Sequence, residues 1–274
     1  MILLLTADCY CKLLIKTMNR INQLFQQKKD NILSLYFTAG HPELNSTTEI
    51  LAELEATGTD MVEIGMPFSD PLADGPVIQE SNQKALKNGM SIRLLFDQLK
   101  DVRQKINIPL LLMGNLNPVL QFGVENFCKK CRETGIDGII LPDLPLPEYI
   151  WDYQHIFENN GLRFNFLITP QTIEERIRQI DKISNGFVYM VSSSSTTGVK
   201  GSFADKQIEY FKRVRSMKLQ NPLLIGFGIS NRETFTQACS YANGAIIGSA
   251  FVKMLNDTPA WKKGIKNFVS SIKG

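Results

Sequence analysis

Two carboxylates stand out by their surroundings. Glu63 lies inside the apolar run MVEIGM at 61–66, and Asp74 follows on PFSDPLADGP, a loop holding three prolines and two aspartates. A carboxylate buried without a partner is costly, so a strand that carries one has a reason to do so. Two acids in different surroundings can divide acid and base duties. The competing structural account makes Glu63 a buried hydrogen-bonding group and Asp74 the cap of the next helix, and spacing alone does not separate the two. Tyr189 alternates with Phe187 in GFVYMV and shares its strand face, a pattern that by itself describes a core tyrosine.

A second signal comes late in the chain. GFGIS at 226–230 and GSAF at 248–251 follow the last two apolar runs. Small residues let backbone N–H groups approach an anion, and a helix opening at Gly248 and Ser249 aims its positive end there. Glycines also serve ordinary tight turns. Two such pairs after successive late strands nevertheless point to a phosphate on the substrate, and TTGVKG at 196–201 is a third glycine-bearing loop able to close over it.

The elements that must position these residues recur along the chain. Eight short apolar runs read as strands: 32–39, 61–66, 109–113, 138–141, 163–169, 186–192, 222–228 and 244–248. Between them lie amphipathic segments such as STTEILAELEATG and SIRLLFDQLKDVRQKI, with apolar residues at helical spacing. Near-continuous apolar strands imply a parallel sheet covered on its outer face, and eight strand–helix units fit a closed α/β fold, the (β/α)8 TIM barrel. A doubly wound open sheet is the alternative. In such a barrel the active site sits at the C-terminal ends of the strands, where Glu63, Asp74 and the late glycines all fall. MNRINQLFQQKKD predicts an extra N-terminal helix closing the bottom, and PAWKKGIKNFVSSIKG the last outer helix. A single domain over 1–274 is expected, with 1–18 an extension of no assigned role.

Composition narrows the partners. The 274 residues are 43% hydrophobic and 21% charged, an ordinary globular mixture, and the net charge of +3 is spread without a basic tract, so no nucleic acid is expected. The opening MILLLTADCYCKLLIK is broken by Asp8 and Lys12 well short of the roughly 20 residues a membrane span needs. Its positive residues follow the apolar run, unlike a signal peptide. Five cysteines, odd and unevenly placed, suit a reducing compartment. Cys128 and Cys131 share one helical face and read as buried small hydrophobes. His41 and His155 lack the spacing to complete a zinc site with them, so no metal is expected.

The motifs resemble those of the tryptophan synthase alpha chain family. VEIGMPFSDPLADGPVIQ looks like its signature, and YFTAGHPE, LPDLPLPE, ITPQT, GFVYMVSSSSTTG, GFGIS and GAIIGSAFV match in the same order, over nearly the whole chain after about residue 19. The resemblance implies cleavage of indole-3-glycerol phosphate to indole and glyceraldehyde 3-phosphate, without metal or cofactor. It places the catalytic acids at Glu63 and Asp74, with Tyr189 beside the glutamate. It puts the phosphate on Gly198, Gly228, Gly248 and Ser249, and the indole between Tyr36, Leu112, Ile140, Phe227 and Ile246. Thr197 meets Asp74 when the site shuts. Glu63, rooted in an apolar strand, is the expected proton shuttle, and Asp74, on a wetter loop, the expected standing anion.

The resemblance also implies a tryptophan synthase beta chain as partner in an α2β2 assembly, the pyridoxal phosphate belonging to that partner. Two departures bear on this contact: Asn115 and Leu116 in GNLNP, where the family usually has an aromatic pair, and His41, where it often has aspartate. Another phosphosugar barrel such as an isomerase, and a non-catalytic barrel that only activates a partner, are the competing functions. A soluble protein of the cytoplasm or of the plastid stroma fits equally.

Overall fold

The computed structural model describes residues 18–71, 74–192, 203–258 and 260–274. Among them the strands are β1 (Ile32–Thr38), β2 (Met61–Gly65), β3 (Leu110–Met113), β4 (Gly138–Ile140), β5 (Arg163–Phe164), β6 (Leu167–Ile168), β7 (Val188–Val191), β8 (Leu223–Gly226) and β9 (Gly244–Ile247). All pair in parallel, in the order β5-β4-β3-β2-β1-β9-β8-β7-β6. The two ends of that order, β5 and β6, are consecutive pieces of one extended run. The sheet therefore curls round on itself into the expected barrel.

The fifth run is the one place where an expected strand is divided. Asn165 interrupts it, fully buried, and its side chain takes over the ladder: Nδ2 donates to the Arg163 carbonyl at 3.1 Å, and Oδ1 accepts from the Phe187 N–H at 3.0 Å. Nδ2 also reaches the Ile139 carbonyl of β4 at 3.4 Å, so one side-chain amide links β4 and β5 to the residue before β7, satisfying groups that burial would otherwise orphan.

Strand alternation sorts the core into two shells. Ile32, Met61, Leu111, Phe187, Leu224 and Ile246 point inward and form one buried cluster. Their neighbours Leu33, Val62, Leu112, Val188, Ile225 and Ile247 point outward into the larger cluster shared with the helices. Both faces are covered, which is why these strands read as continuous apolar runs.

The helix Arg20–Gln27 stoppers the lower end, with Ile21 and Phe25 packed into the inner cluster. Asn19 caps it, accepting from the Ile21 N–H at 2.9 Å, and donates through Nδ2 to the Asp137 and Gly161 carbonyls. Arg20 and Arg103 both pair with the buried Asp137 carboxylate just before β4. The chain ends on the helix Trp261–Lys273, which buries Trp261, Ile265, Val269 and Ile272. Cys128 and Cys131 lie on the helix Val124–Thr134, buried in the outer shell, where burial pushes the Cys128 thiol up to about 12.

Candidate active site

Glu63 is the third residue of β2, a strand buried along its whole length. In register it lies between Tyr36 of β1 and Leu111 of β3, so all three side chains face the barrel interior. The Ser34 hydroxyl donates to Glu63 Oε1 at 3.1 Å, while Oε2 is buried with no hydrogen-bond partner among the described residues. Burial disfavours the charged form and pushes the carboxyl up to about 8, the Ser34 hydrogen bond acting in the opposite direction.

Asp74 is half-buried on the loop that leads into the helix Pro76–Lys87. It does not cap that helix: the N-cap is Gly75, without a side-chain hydrogen bond. The backbone holds it instead, with its N–H donating to the Pro71 carbonyl at 3.0 Å and its own carbonyl accepting from Gln79 Nε2 at 2.9 Å. The loop is drier here than the sequence suggests, and burial pushes the carboxyl up to about 6. At neutral pH about nine-tenths of it is still anionic.

Two tyrosines feel the charge of both acids. Tyr36 and Tyr189 have their phenols pushed well above the ordinary range, by burial first and then by the negative charge of both Glu63 and Asp74. All four side chains therefore address a common space at the C-terminal ends of the strands. Tyr36 is further tied through Thr38, whose Oγ1 lies 2.6 Å from Ser81 Oγ on the helix Pro76–Lys87.

The apolar lining divides by strand parity. Ile140 and Ile246 belong to the inner cluster with Tyr189, and Phe227 packs against it, its ring 6.3 Å from that of Tyr189. Leu112 does not belong to the cavity: one residue out of phase with Leu111, it points away from the interior into the outer shell. Leu111 and Met113 take its place on the inner face.

The late loops turn on glycine. Gly228 is exposed with φ +74°, and Phe227 before it also has positive φ, 68°, a conformation uncommon for a residue with a bulky side chain. The Ser192 hydroxyl secures this turn by donating to the Phe227 carbonyl at 2.6 Å. Gly248 is the N-cap of the helix Ser249–Asp257, without a side-chain cap, so the first-turn N–H groups are left for another partner. A Cβ on Gly248 would stand 3.6 Å from the Tyr36 ring, which makes this helix start a neighbour of the acid site. Ser249 is exposed beside it. Thr197 and Gly198 fall outside the described residues.

The sequence reading missed several residues or the parts they play. Ser34 and Leu111 are recoverable from parity once Glu63 is taken as inward. Gly65 carries no local signal and Gly226 was read only as part of a phosphate turn, yet a Cβ at either would collide with the hydroxyl of Tyr36 or of Tyr189 respectively. Asp143, in LPDLPLPE, accepts from the Leu116 N–H through both oxygens, at 2.9 and 3.0 Å, and so ties the fourth loop to the helix Leu116–Phe122 in the third. His41 is fully buried, and burial with the nearby Lys84 lowers it to about 4, leaving a neutral ring.

A parallel α/β barrel with two carboxyls at its second strand end and glycine-led turns after its last two strands is the layout of an enzyme for phosphorylated substrates. The model of the family described as tryptophan synthase alpha chain matches residues 22–272. The chain belongs to that family. It is 59% identical over 255 residues to the tryptophan synthase alpha chain of Flavobacterium psychrophilum, covering 93% of this chain and 100% of that one. With the alpha chain of Bacteroides thetaiotaomicron it shares 52% over 256 residues, at the same coverage of each. Among solved structures, the tryptophan synthase complex of Pyrococcus furiosus contains a chain that superposes with TM-score 0.82 at 34% identity, over 90% of this chain and 99% of that one. One from Mycobacterium tuberculosis tryptophan synthase gives 0.81 at 26%, over 93% and 98%. No helix among the described residues is long and apolar enough to cross a membrane.

Proposed function

We propose that this barrel is a carbon–carbon lyase that cleaves indole-3-glycerol phosphate into indole and glyceraldehyde 3-phosphate, the alpha reaction of L-tryptophan biosynthesis. Family membership supports the substrate. The observation that carries the mechanism is the buried Glu63 carboxyl with one oxygen held and the other free.

Glu63 begins protonated, as its raised affinity for a proton allows near neutrality. It gives that proton to carbon 3 of the indole, which makes the ring an electron sink. The resulting carboxylate takes the proton from the glycerol hydroxyl next to the ring. The new carbonyl forms as the bond to carbon 3 breaks, and the electron pair returns to the ring. The proton count closes and Glu63 is ready for another turnover.

Asp74 accepts a hydrogen bond from the indole N–H and stabilises the positive charge that develops there, a charge role without proton transfer. Tyr189 and Tyr36 wall the acids. Leu111, Met113, Ile140, Phe227 and Ile246 form the apolar slot. Gly228, Gly248 and Ser249 hold the phosphate, joined by Gly198, while Thr197 closes on Asp74. The working assembly includes a tryptophan synthase beta chain, and the bacterial origin of the relatives above favours the cytoplasm over a plastid.

The test is indole release from indole-3-glycerol phosphate by the purified chain, with and without a beta chain. Glu63→Gln keeps the shape and removes the exchangeable proton, so release falls by about 10² or more. Near-wild-type turnover in that variant sinks the mechanism, and isomerisation of a sugar phosphate in place of indole release sinks the assignment.

A further inference from the structure

We propose that Ser34 is a positioning residue for the Glu63 proton shuttle: its hydroxyl fixes Oε1, which assigns the travelling proton to Oε2. This rests on the function proposed above.

Ser34 sits on β1 one inward position below Tyr36, paired with Met61 of β2 and Ile246 of β9. Both of these neighbours are apolar, and Ser34 itself is fully buried. A hydroxyl there needs a partner, and the partner is Glu63 Oε1 at 3.1 Å. The other groups that face Glu63 are Tyr36 on β1, Tyr189 on β7 and Asp74 on the following loop. Tyr36 is engaged with Thr38.

The choice of donor matters. A serine bond to Oε1 survives both protonation states, because Oε1 is a carboxylate oxygen in one and the carbonyl oxygen of the acid in the other. A lysine or arginine at this place would hold Glu63 charged and end its use as an acid. The serine keeps the carboxyl from turning over and leaves Oε2 pointing, unpaired, where a substrate arrives. Being stronger to the charged form, the bond also draws the proton affinity of Glu63 back toward neutrality.

Two readouts test this, one of them independent of turnover. The infrared carbonyl band of protonated Glu63, identified by its loss in Glu63→Gln, is titrated with pH in the wild type, Ser34→Ala and Ser34→Thr. Ser34→Ala moves the midpoint up by about one unit, while Ser34→Thr, which keeps the donor, leaves it near the wild-type value. In the indole assay Ser34→Ala lowers kcat by about tenfold with KM nearly unchanged, since the lost contact is to the catalytic group and not to substrate. A midpoint that stays in place in Ser34→Ala, or that moves equally in both variants, overturns the proposal. Absence of indole release from the wild type with a shifted midpoint in Ser34→Ala overturns the function and leaves the serine–glutamate coupling standing.

Discussion

The Tyr189 hydroxyl occupies the space that a side chain at Gly226 would need. The two residues are on neighbouring strands, Tyr189 pairing with Leu224, so the phenol leans up over β8 by one inward position. Tyr36 does the same on the other side of the site, pairing with Glu63 and leaning over Gly65. Two glycine notches therefore set where two rings stand relative to the acids, and neither depends on unusual backbone angles.

Gly226→Ala should displace the Tyr189 ring, with a cost of about 1–3 kcal/mol typical of overpacking. Urea unfolding measures the loss. Because the added methyl and the ring compete for one volume, Gly226→Ala combined with Tyr189→Ala should be less destabilising than the sum of the two single changes. Strict additivity would show that the notch does not seat the ring.

The proposed roles fix the shape of the pH profile. Asp74 must be ionised and is held up at about 6, so activity rises as pH climbs through that value. Glu63 must start protonated and is held up at about 8, so activity falls as pH passes that value. The profile of kcat/KM is then a bell with its top near pH 7, limbs belonging to the free enzyme. Activity that keeps climbing to pH 9.5 would rule out Glu63 as the initial acid.

Asp143 ties the fourth barrel loop to the third. Its carboxylate supplies the first N–H of the helix Leu116–Phe122 with an acceptor, as an N-cap would, although it comes from the next loop. Asp143→Ala should cost about 1 kcal/mol and speed hydrogen exchange at Leu116 by about fivefold, with little change at β3. Uniform exchange in the two proteins would mean the cap contributes nothing.

Much of this was legible in the sequence for a physical reason. Strands covered on both faces show as apolar runs, and Glu63 is conspicuous because it breaks one of them. What stayed hidden depends on parity or on distance along the chain. Leu112 and Leu111 are chemically identical neighbours in LLLM, and only the register with Glu63 tells which faces the cavity. Asn165 divides a run that reads as one strand, because its amide replaces backbone partners, which composition does not reveal. Asp74 looked wet on a loop rich in proline and glycine, but the surrounding fold half-buries it.

Keeping Glu63 neutral has a cost in stability with a definite sign. Its carboxyl titrates near 4.5 in the unfolded chain and near 8 when folded. Below the lower value it is neutral in both states and imposes no pH-dependent penalty. Between the two the unfolded chain releases a proton that the folded chain retains, so stability falls as pH rises through this window and levels off above it. The accumulated loss is on the order of 5 kcal/mol. Glu63→Gln removes this slope, while Asp74 contributes equally to both proteins and cancels. The melting temperature of Glu63→Gln relative to wild type should therefore climb steadily from pH 5 to pH 8.5, whatever its offset at pH 5. A constant difference across that range would mean that Glu63 is not held neutral by burial, and the acid half of the shuttle would lose its basis.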